Sequence, residues 1–145
     1  MEIDRLDHLV LTVRSIAETV AFYERALGMK SVAFGAGRVA LTFGQQKINL
    51  HEAGREFEPK AQTPTPGSAD LCFILTVTLD DAIAHLNTQT IEILEGPVAR
   101  TGATGPVTSI YIRDPDLNLI ELSVYAHKAC AKAAGLDTSG SDSTR

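Results

Sequence analysis

Three segments of the sequence each place one residue suited to metal binding on the polar side of a predicted strand. Alternate residues of a strand share a face. In LDHLVLTV the apolar residues Leu9, Leu11 and Val13 share one face, which leaves His8 on the other. The same parity sets His51 in KINLHE and Glu121 in LIELSVY opposite the apolar residues of their strands. Imidazoles and a carboxylate are ligands of divalent transition metals, so the sequence predicts a metal site if these faces meet.

A fourth candidate ligand comes from an internal repeat. The order strand, helix and short strands occurs twice along the chain, and Asp70 opens the first strand of the second copy as His8 opens that of the first. A shift of two residues would place Cys72 there instead, on the same face. A shared cation would offset the cost of a buried carboxylate. Asp70 is therefore the predicted fourth ligand, with Cys72 as the alternative.

Capping and turn signals indicate the elements that position these residues. Ser15-Ile16-Ala17-Glu18 is a capping box, and Gly28 is typical of a helix end. Thr78 begins a second predicted helix, and residues 53–69, with three prolines and two glycines, form a predicted loop. The prediction is an α+β fold of two βαβββ modules, about 4–53 and 69–126, in a single domain over residues 1–127, followed by a partly disordered tail over 128–145. Strands are predicted at 6–13, 39–43, 47–52, 69–77, 91–96, 107–114 and 119–125.

Three further polar residues are candidates for substrate contacts. Asn49 and Ser123 share the predicted faces of His51 and Glu121. Arg100 begins the glycine-rich segment RTGATGP. This segment is typical either of a flexible hairpin or of a mobile flap over the site, whose arginine would meet an anionic substrate.

Composition and charge exclude several classes of protein. The 145 residues carry a formal net charge of -5, whereas a broad nucleic-acid surface needs a basic face. No apolar run approaches the ~20 residues that span a bilayer, and the acidic N-terminal segment is unlike a signal peptide, so a cytoplasmic location is expected. Cys72 and Cys130 make no disulfide framework, and Cys72 is expected to be a small buried apolar residue. His85 is expected on the surface and His127 in the tail.

Several segments resemble the vicinal oxygen chelate superfamily, which includes glyoxalase I, extradiol dioxygenases, fosfomycin-resistance enzymes and bleomycin-resistance proteins. They are LDHLVLTV, AFYERALGM, which is similar to the family's FY…LG helix end, and YIRDPDLNLIEL, which is similar to its DP.GN.iEl ending. Leu117 stands where that ending usually has glycine. FGQQKINLHEAGREFEPKA and GPVARTGATGP resemble a narrower subgroup, the glyoxalase-domain-containing and bacterial virulence-associated proteins.

The resemblance implies an open, cup-shaped mixed sheet with flanking helices, a small-molecule substrate, a homodimer and a divalent ion (Zn, Ni, Co, Mn or Fe) inside the cup. Carried over to this chain, the family's ligand positions fall on His8, His51, Asp70 and Glu121. Glyoxalase I usually has a carboxylate where His51 stands. Extradiol dioxygenases and fosfomycin enzymes have a histidine where Asp70 stands. Because of these differences, the resemblance does not assign a specific reaction to this chain.

Among the functions that the resemblance implies, a metal-dependent lyase or isomerase of glyoxalase type ranks first. In such an enzyme the ion polarises two adjacent substrate oxygens, and Glu121 or Asp70 moves the proton. The first alternative is an Fe(II) extradiol-type dioxygenase that uses His8, His51 and Glu121. The second is a non-enzymatic drug-binding protein of the bleomycin-resistance type. An aromatic content of 6% with no Trp disfavours it, because flat drugs stack on aromatic side chains.

Overall fold

The computed structural model describes residues 1–126 and contains two modules with the same order of elements. This order, βαβββ twice, confirms the predicted α+β fold class. The predicted tail, with His127 and Cys130, lies outside the described residues. The first module consists of β1 (His8–Val13), α1 (Ile16–Leu27), β2 (Lys30–Phe34), β3 (Arg38–Phe43) and β4 (Gln46–Glu52). The second consists of β5 (Asp70–Ile74), α2 (Leu79–Thr88), β6 (Glu95–Gly102), β7 (Gly105–Arg113) and β8 (Leu119–Tyr125).

Both helices begin at the capping residues that the sequence predicts. The Ser15 hydroxyl accepts a hydrogen bond from the backbone N–H of Glu18 at 3.2 Å. Thr78 accepts one from the N–H of Asp81 at 3.1 Å. Gly28 ends α1 in the left-handed conformation, with φ 65°, which glycine adopts without steric cost. These contacts satisfy backbone groups that the helix ends leave unpaired.

Each module forms one four-stranded mixed sheet, in the orders β1-β4-β3-β2 and β5-β8-β7-β6. The pairs β1–β4 and β5–β8 are parallel, and the other pairs are antiparallel. One face of each sheet is apolar and contributes to a single buried cluster shared by the two modules. We call the opposite sides the first polar face, which bears His8, Lys47, Asn49, His51 and Arg38, and the second polar face, which bears Asp70, Cys72, Glu121, Ser123 and Arg100.

The turn between β7 and β8, in the second module, is hydrogen-bonded to side chains of the first module. Its Asp114 is buried and accepts a hydrogen bond from the Tyr23 hydroxyl of α1 at 2.9 Å. Asp114 also accepts hydrogen bonds from the N–H groups of Asp116 and Asn118, each at 2.9 Å. The Arg14 guanidinium donates to Asp116 at 2.7 Å. Burial, reinforced by the Asp114 carboxylate, raises the pKa of Tyr23, so this phenol remains a donor to the turn.

Several strand boundaries differ from the predictions. Residues 91–94 are not in a strand, and β6 begins at Glu95. The segment RTGATGP is a tight hairpin, with β6 ending at Gly102 and β7 beginning at Gly105, which agrees with the first of its two predicted structures. The strand β2 (Lys30–Phe34) is not among the predicted strands. This edge strand buries few side chains, and its sequence therefore shows only a weak alternation of apolar and polar residues.

None of the helices within residues 1–126 combines the length and the hydrophobicity needed to span a membrane.

Candidate functional site

His8 lies at the start of β1, on the first polar face, with its side chain 44% exposed. Its Nδ1 lies 2.7 Å from Oδ1 of Asp7. This hydrogen bond lowers the pKa of the Asp7 carboxyl. A carboxylate at one ring nitrogen favours the tautomer with the proton on that nitrogen, which leaves the lone pair of Nε2 for a ligand.

The register of β1 and β4 separates the two histidines that the sequence predicts as ligands of one ion. His8 lies opposite Lys47, whereas His51 lies opposite Thr12, four residues further along. At about 3.3 Å per residue, this offset is about 13 Å. His51 is 7% exposed, and its ring packs edge-on against that of Phe57 at a centroid distance of 5.7 Å. The structure therefore places His8 and His51 at different ends of the first polar face.

Asn49 lies between these two levels, opposite Val10 on β1. Its Oδ1 is buried and has no hydrogen-bond partner among the described residues. A buried acceptor without a partner costs about 1–3 kcal/mol, so such an atom indicates that a donor or a cation belongs beside it. Asn49 therefore offers an unpaired acceptor two residues along the strands from the level of His8.

On the second polar face, Glu121 of β8 lies directly opposite Cys72 of β5. The buried Ser123 hydroxyl donates to Oε1 of Glu121 at 3.3 Å. Its Oγ also lies 3.3 Å from Sγ of Cys72 and 2.7 Å from Oγ of Ser109. Asp70 shares this face at the exposed start of β5. The structure thus brings Glu121 and Ser123 into one hydrogen-bonded group, as strand parity predicts, with Asp70 at its edge.

Cys72 differs from the expectation of a buried apolar residue, because it is exposed. Partial burial of its sulfur raises the pKa of the thiol, the hydrogen bond with Ser123 lowers it, and Glu121 raises it further. The net effect is a rise, so the thiol is protonated at neutral pH. Cys72 is the predicted alternative to Asp70, and the register places Cys72, rather than Asp70, opposite Glu121.

Arg100 is exposed near the end of β6, and its donors already have partners within the hairpin. Its Nε donates to the Tyr111 hydroxyl at 2.9 Å, and its Nη2 donates to Oε1 of Glu95 at 3.0 Å. The hydrogen bond with Tyr111, followed by that with Glu95, raises the pKa of the guanidinium. Glu95 therefore balances the charge of Arg100, for which the sequence predicts an anionic substrate as the partner.

The candidate ligands form two separate groups within one chain. In residues 1–126, no three His, Cys, Asp or Glu side chains lie close enough together to hold one metal ion. His8 and Cys72 line the same cavity of about 100 Å³ between β1 and β5. A larger groove of about 790 Å³ lies beside α2 and is lined mainly by apolar residues, so it offers few ligands for an ion.

Comparison with known proteins identifies the family of proteins that share this arrangement of two modules. Residues 5–122 match the Glyoxalase/Bleomycin resistance protein/Dioxygenase superfamily. The chain is 60% identical over 125 residues to the virulence protein STM3117 of Salmonella typhimurium, which covers 86% of this chain and 87% of that protein. It is 58% identical over 125 residues to the glyoxalase domain-containing protein RDO1 of Mycosarcoma maydis, covering 86% of this chain and 70% of the relative.

A solved structure has the same fold. The integron cassette protein VCH_CASS1 from the mobile metagenome of V. Cholerae superposes with a TM-score of 0.85 and 63% sequence identity, covering 87% of this chain and 98% of that one. The chain therefore belongs to the Glyoxalase/Bleomycin resistance protein/Dioxygenase superfamily, which confirms the resemblance found in the sequence. Members of this superfamily commonly use a divalent metal ion.

Proposed function

We propose that this chain is a divalent-metal-dependent enzyme of its superfamily, with lyase or isomerase chemistry of glyoxalase type on a small substrate that has two adjacent oxygen atoms. The observation that carries the proposal is the placement of metal-capable groups on two polar faces, with Asn49 two residues in register from His8 on the first and Asp70 two residues in register from Glu121 on the second. Imidazole nitrogen and carboxylate oxygen suit Zn, Ni, Co, Mn and Fe. The bound ion would supply Lewis-acid polarisation of the substrate oxygens.

In this proposal His8, Asp70 and Glu121 hold the ion, and the unpaired amide oxygen of Asn49 faces the ion or a substrate hydroxyl. The fourth ligand expected from the resemblance, His51, stands about 13 Å along the sheet from the level of His8, estimated from the rise per residue of a strand. His51 is therefore assigned to the far end of the substrate site rather than to the ion.

The separation of the two groups of ligands within one chain supports a homodimer. We place the first polar face of one protomer against the second polar face of its partner, so that each cup takes ligands from both chains. Val10 and Ile74 are 46% and 50% exposed on these two faces, and a partner would cover them. By register, the first polar face bears Lys30, Arg38 and Lys47, whereas Glu52 of β4 lies opposite Val13 on the other side of the sheet. This basic face complements the acidic ligand positions of the second polar face.

Glu121 is the residue that we assign to proton transfer. It is half-buried, and the Ser123 hydroxyl orients one of its oxygens while the other remains available. Ser123 is itself held by the buried Ser109 hydroxyl at 2.7 Å, so the carboxylate has a fixed direction on the sheet. Because the raised pKa keeps the neighbouring Cys72 thiol neutral, no thiolate competes with Glu121 as base. Asp70, exposed at the start of β5, is the second candidate for this role.

Elemental analysis of protein purified without a tag or chelator tests the proposal. We expect near-stoichiometric Zn, Ni, Co or Mn in the wild type, and its loss in both His8→Ala and Glu121→Ala. His85→Ala is the matched control, because His85 is exposed on α2 and away from both polar faces. Iron that is lost on air oxidation would favour the dioxygenase alternative. A wild type that takes up no metal on reconstitution would reject the metal site and favour the non-enzymatic binder.

A mixing experiment tests whether the site is shared between two chains. His8→Ala and Glu121→Ala are unfolded together, refolded and assayed for bound metal. In a two-fold dimer with shared sites, random pairing restores roughly a quarter of the sites, because each heterodimer contains one site with both residues intact. Sites contained within one chain would restore none. Light scattering on each variant alone shows whether it still forms the dimer that the experiment requires, and monomeric wild-type protein would reject the shared cup.

A further inference from the structure

We infer that Arg38, supported by Phe57 and His51, forms a subsite for the carboxylate group of an anionic ligand. The subsite lies on the first polar face, at the end of the sheet away from His8. The inference rests on the proposed function only in identifying this ligand as the substrate. Anion binding at this subsite requires no metal ion.

Strand register places Arg38 beside His51. Arg38 precedes Val39, which lies opposite Leu50 in the antiparallel pair of β3 and β4, so Arg38 is level with His51. Both side chains point away from the apolar face that Val39 and Leu50 share. The two nitrogen-bearing groups therefore occupy adjacent strands on one surface.

Phe57, from the loop between the two modules, lies against both groups. The Arg38 Cζ is 4.9 Å from the centroid of the Phe57 ring, and the His51 ring is 5.7 Å from the same ring. Cation–π stacking covers one flat face of a guanidinium but leaves the N–H groups at its edge free to bind a carboxylate in two parallel hydrogen bonds. The aromatic ring therefore orients Arg38 without using its donors.

The charge of Arg38 has no carboxylate partner among residues 1–126, in which the ion pairs are made by other side chains. The acids of the adjacent loop are already engaged. Glu56 accepts hydrogen bonds from its own N–H and that of Gly54, and these bonds, with smaller contributions from Lys60 and His51, lower the pKa of its carboxyl. Glu58 is paired with Lys60. An arginine that is oriented by an aromatic ring and lacks an internal counter-ion is suited to an external anion. Arg100 shows the contrast, because Glu95 neutralises it.

The position of this subsite restricts the class of substrate. Arg38 and His8 are four residues apart along the strands and two strands apart across the sheet, a Cα separation of about 16 Å from standard strand spacings. A ligand that bridges both positions carries its carboxylate several bonds away from its pair of chelating oxygens. The side chain of Asn49 lies between these two ends of the ligand.

Benzoate and its neutral analogue benzamide test the subsite by NMR titration of metal-free protein at low ionic strength. Benzoate is expected to bind saturably and to shift the signals of Arg38, His51 and Phe57, and benzamide is expected to bind at least about tenfold more weakly. Arg38→Gln should weaken benzoate binding by a similar factor. Arg38→Lys keeps the charge but not the two parallel N–H donors, and its affinity for benzoate should lie between those of the wild type and Arg38→Gln. Arg55→Gln is the control, because this exposed arginine pairs with Glu52.

Three results would overturn the subsite. They are equal affinities for benzoate and benzamide, benzoate binding that is unchanged in a folded Arg38→Gln variant, and no saturable benzoate binding by the wild type. Because the titration uses metal-free protein, its failure leaves the metal analysis of His8→Ala and Glu121→Ala unaffected. A failure of the metal analysis likewise leaves benzoate binding at Arg38 unaffected.

Discussion

Replacing Leu117 with glycine is expected to stabilise the protein. Leu117 lies in the turn between β7 and β8 with φ 68°, and the left-handed conformation costs an L-residue about 1–2 kcal/mol. Glycine avoids this cost but loses about 0.5–1 kcal/mol of chain entropy on folding. Leu117 is 62% exposed, so truncation removes little buried area, and its N–H remains bonded to the Asp114 carbonyl at 2.9 Å. The difference between the two costs is a gain of about 0.5–1 kcal/mol.

Thermal unfolding followed by circular dichroism measures this gain. For a chain of this size it corresponds to a rise in Tm of roughly 1–4 °C. Leu117→Ala is the matched control, because it shortens the side chain while keeping the left-handed conformation strained. Leu117→Asn should recover part of the gain, because asparagine tolerates this conformation. If Leu117→Gly is no more stable than Leu117→Ala, backbone strain at this position is not the cause and the reasoning is refuted.

Two further predictions concern hydrogen bonds to carboxylates. Tyr23→Phe should lower the free energy of unfolding, measured in urea, by about 1.5–3 kcal/mol, because the buried Asp114 carboxylate loses a hydrogen-bond donor. Tyr125→Phe, at a less buried tyrosine, is the control, and an equal loss of stability in that variant would contradict the prediction. Ser31→Ala should raise the pKa of Glu24 in an NMR titration, because the Glu24 carboxylate accepts hydrogen bonds from the Ser31 hydroxyl and N–H that lower this pKa. Since the folded-state pKa is lowered, the stabilisation is present above the ordinary glutamate pKa and is lost as the pH falls through the folded-state value. A Glu24 pKa that is the same in both proteins would contradict the assignment.

The features that the sequence determined are those set by a few neighbouring residues. The caps at Ser15 and Thr78 and the end of α1 at Gly28 depend on hydrogen bonds and backbone angles within one turn. The sides of the strands on which His8 and Glu121 lie follow from the alternation of side chains along each strand. These properties need no distant partner, so the sequence predicted two modules and the polar face on which each candidate residue lies.

The tertiary structure decided how these local elements are aligned with one another. The offset of His8 from His51, and the pairing of Glu121 with Cys72 rather than Asp70, depend on the register of strands that are distant in sequence. Strand parity constrains such a register only to steps of two residues. The contact of Arg38 with Phe57 depends on where a long loop folds back over the sheet. The sequence therefore determined which groups are on the polar faces, and packing between distant segments decided which of them meet, because the register and the path of the loop are set by long-range burial.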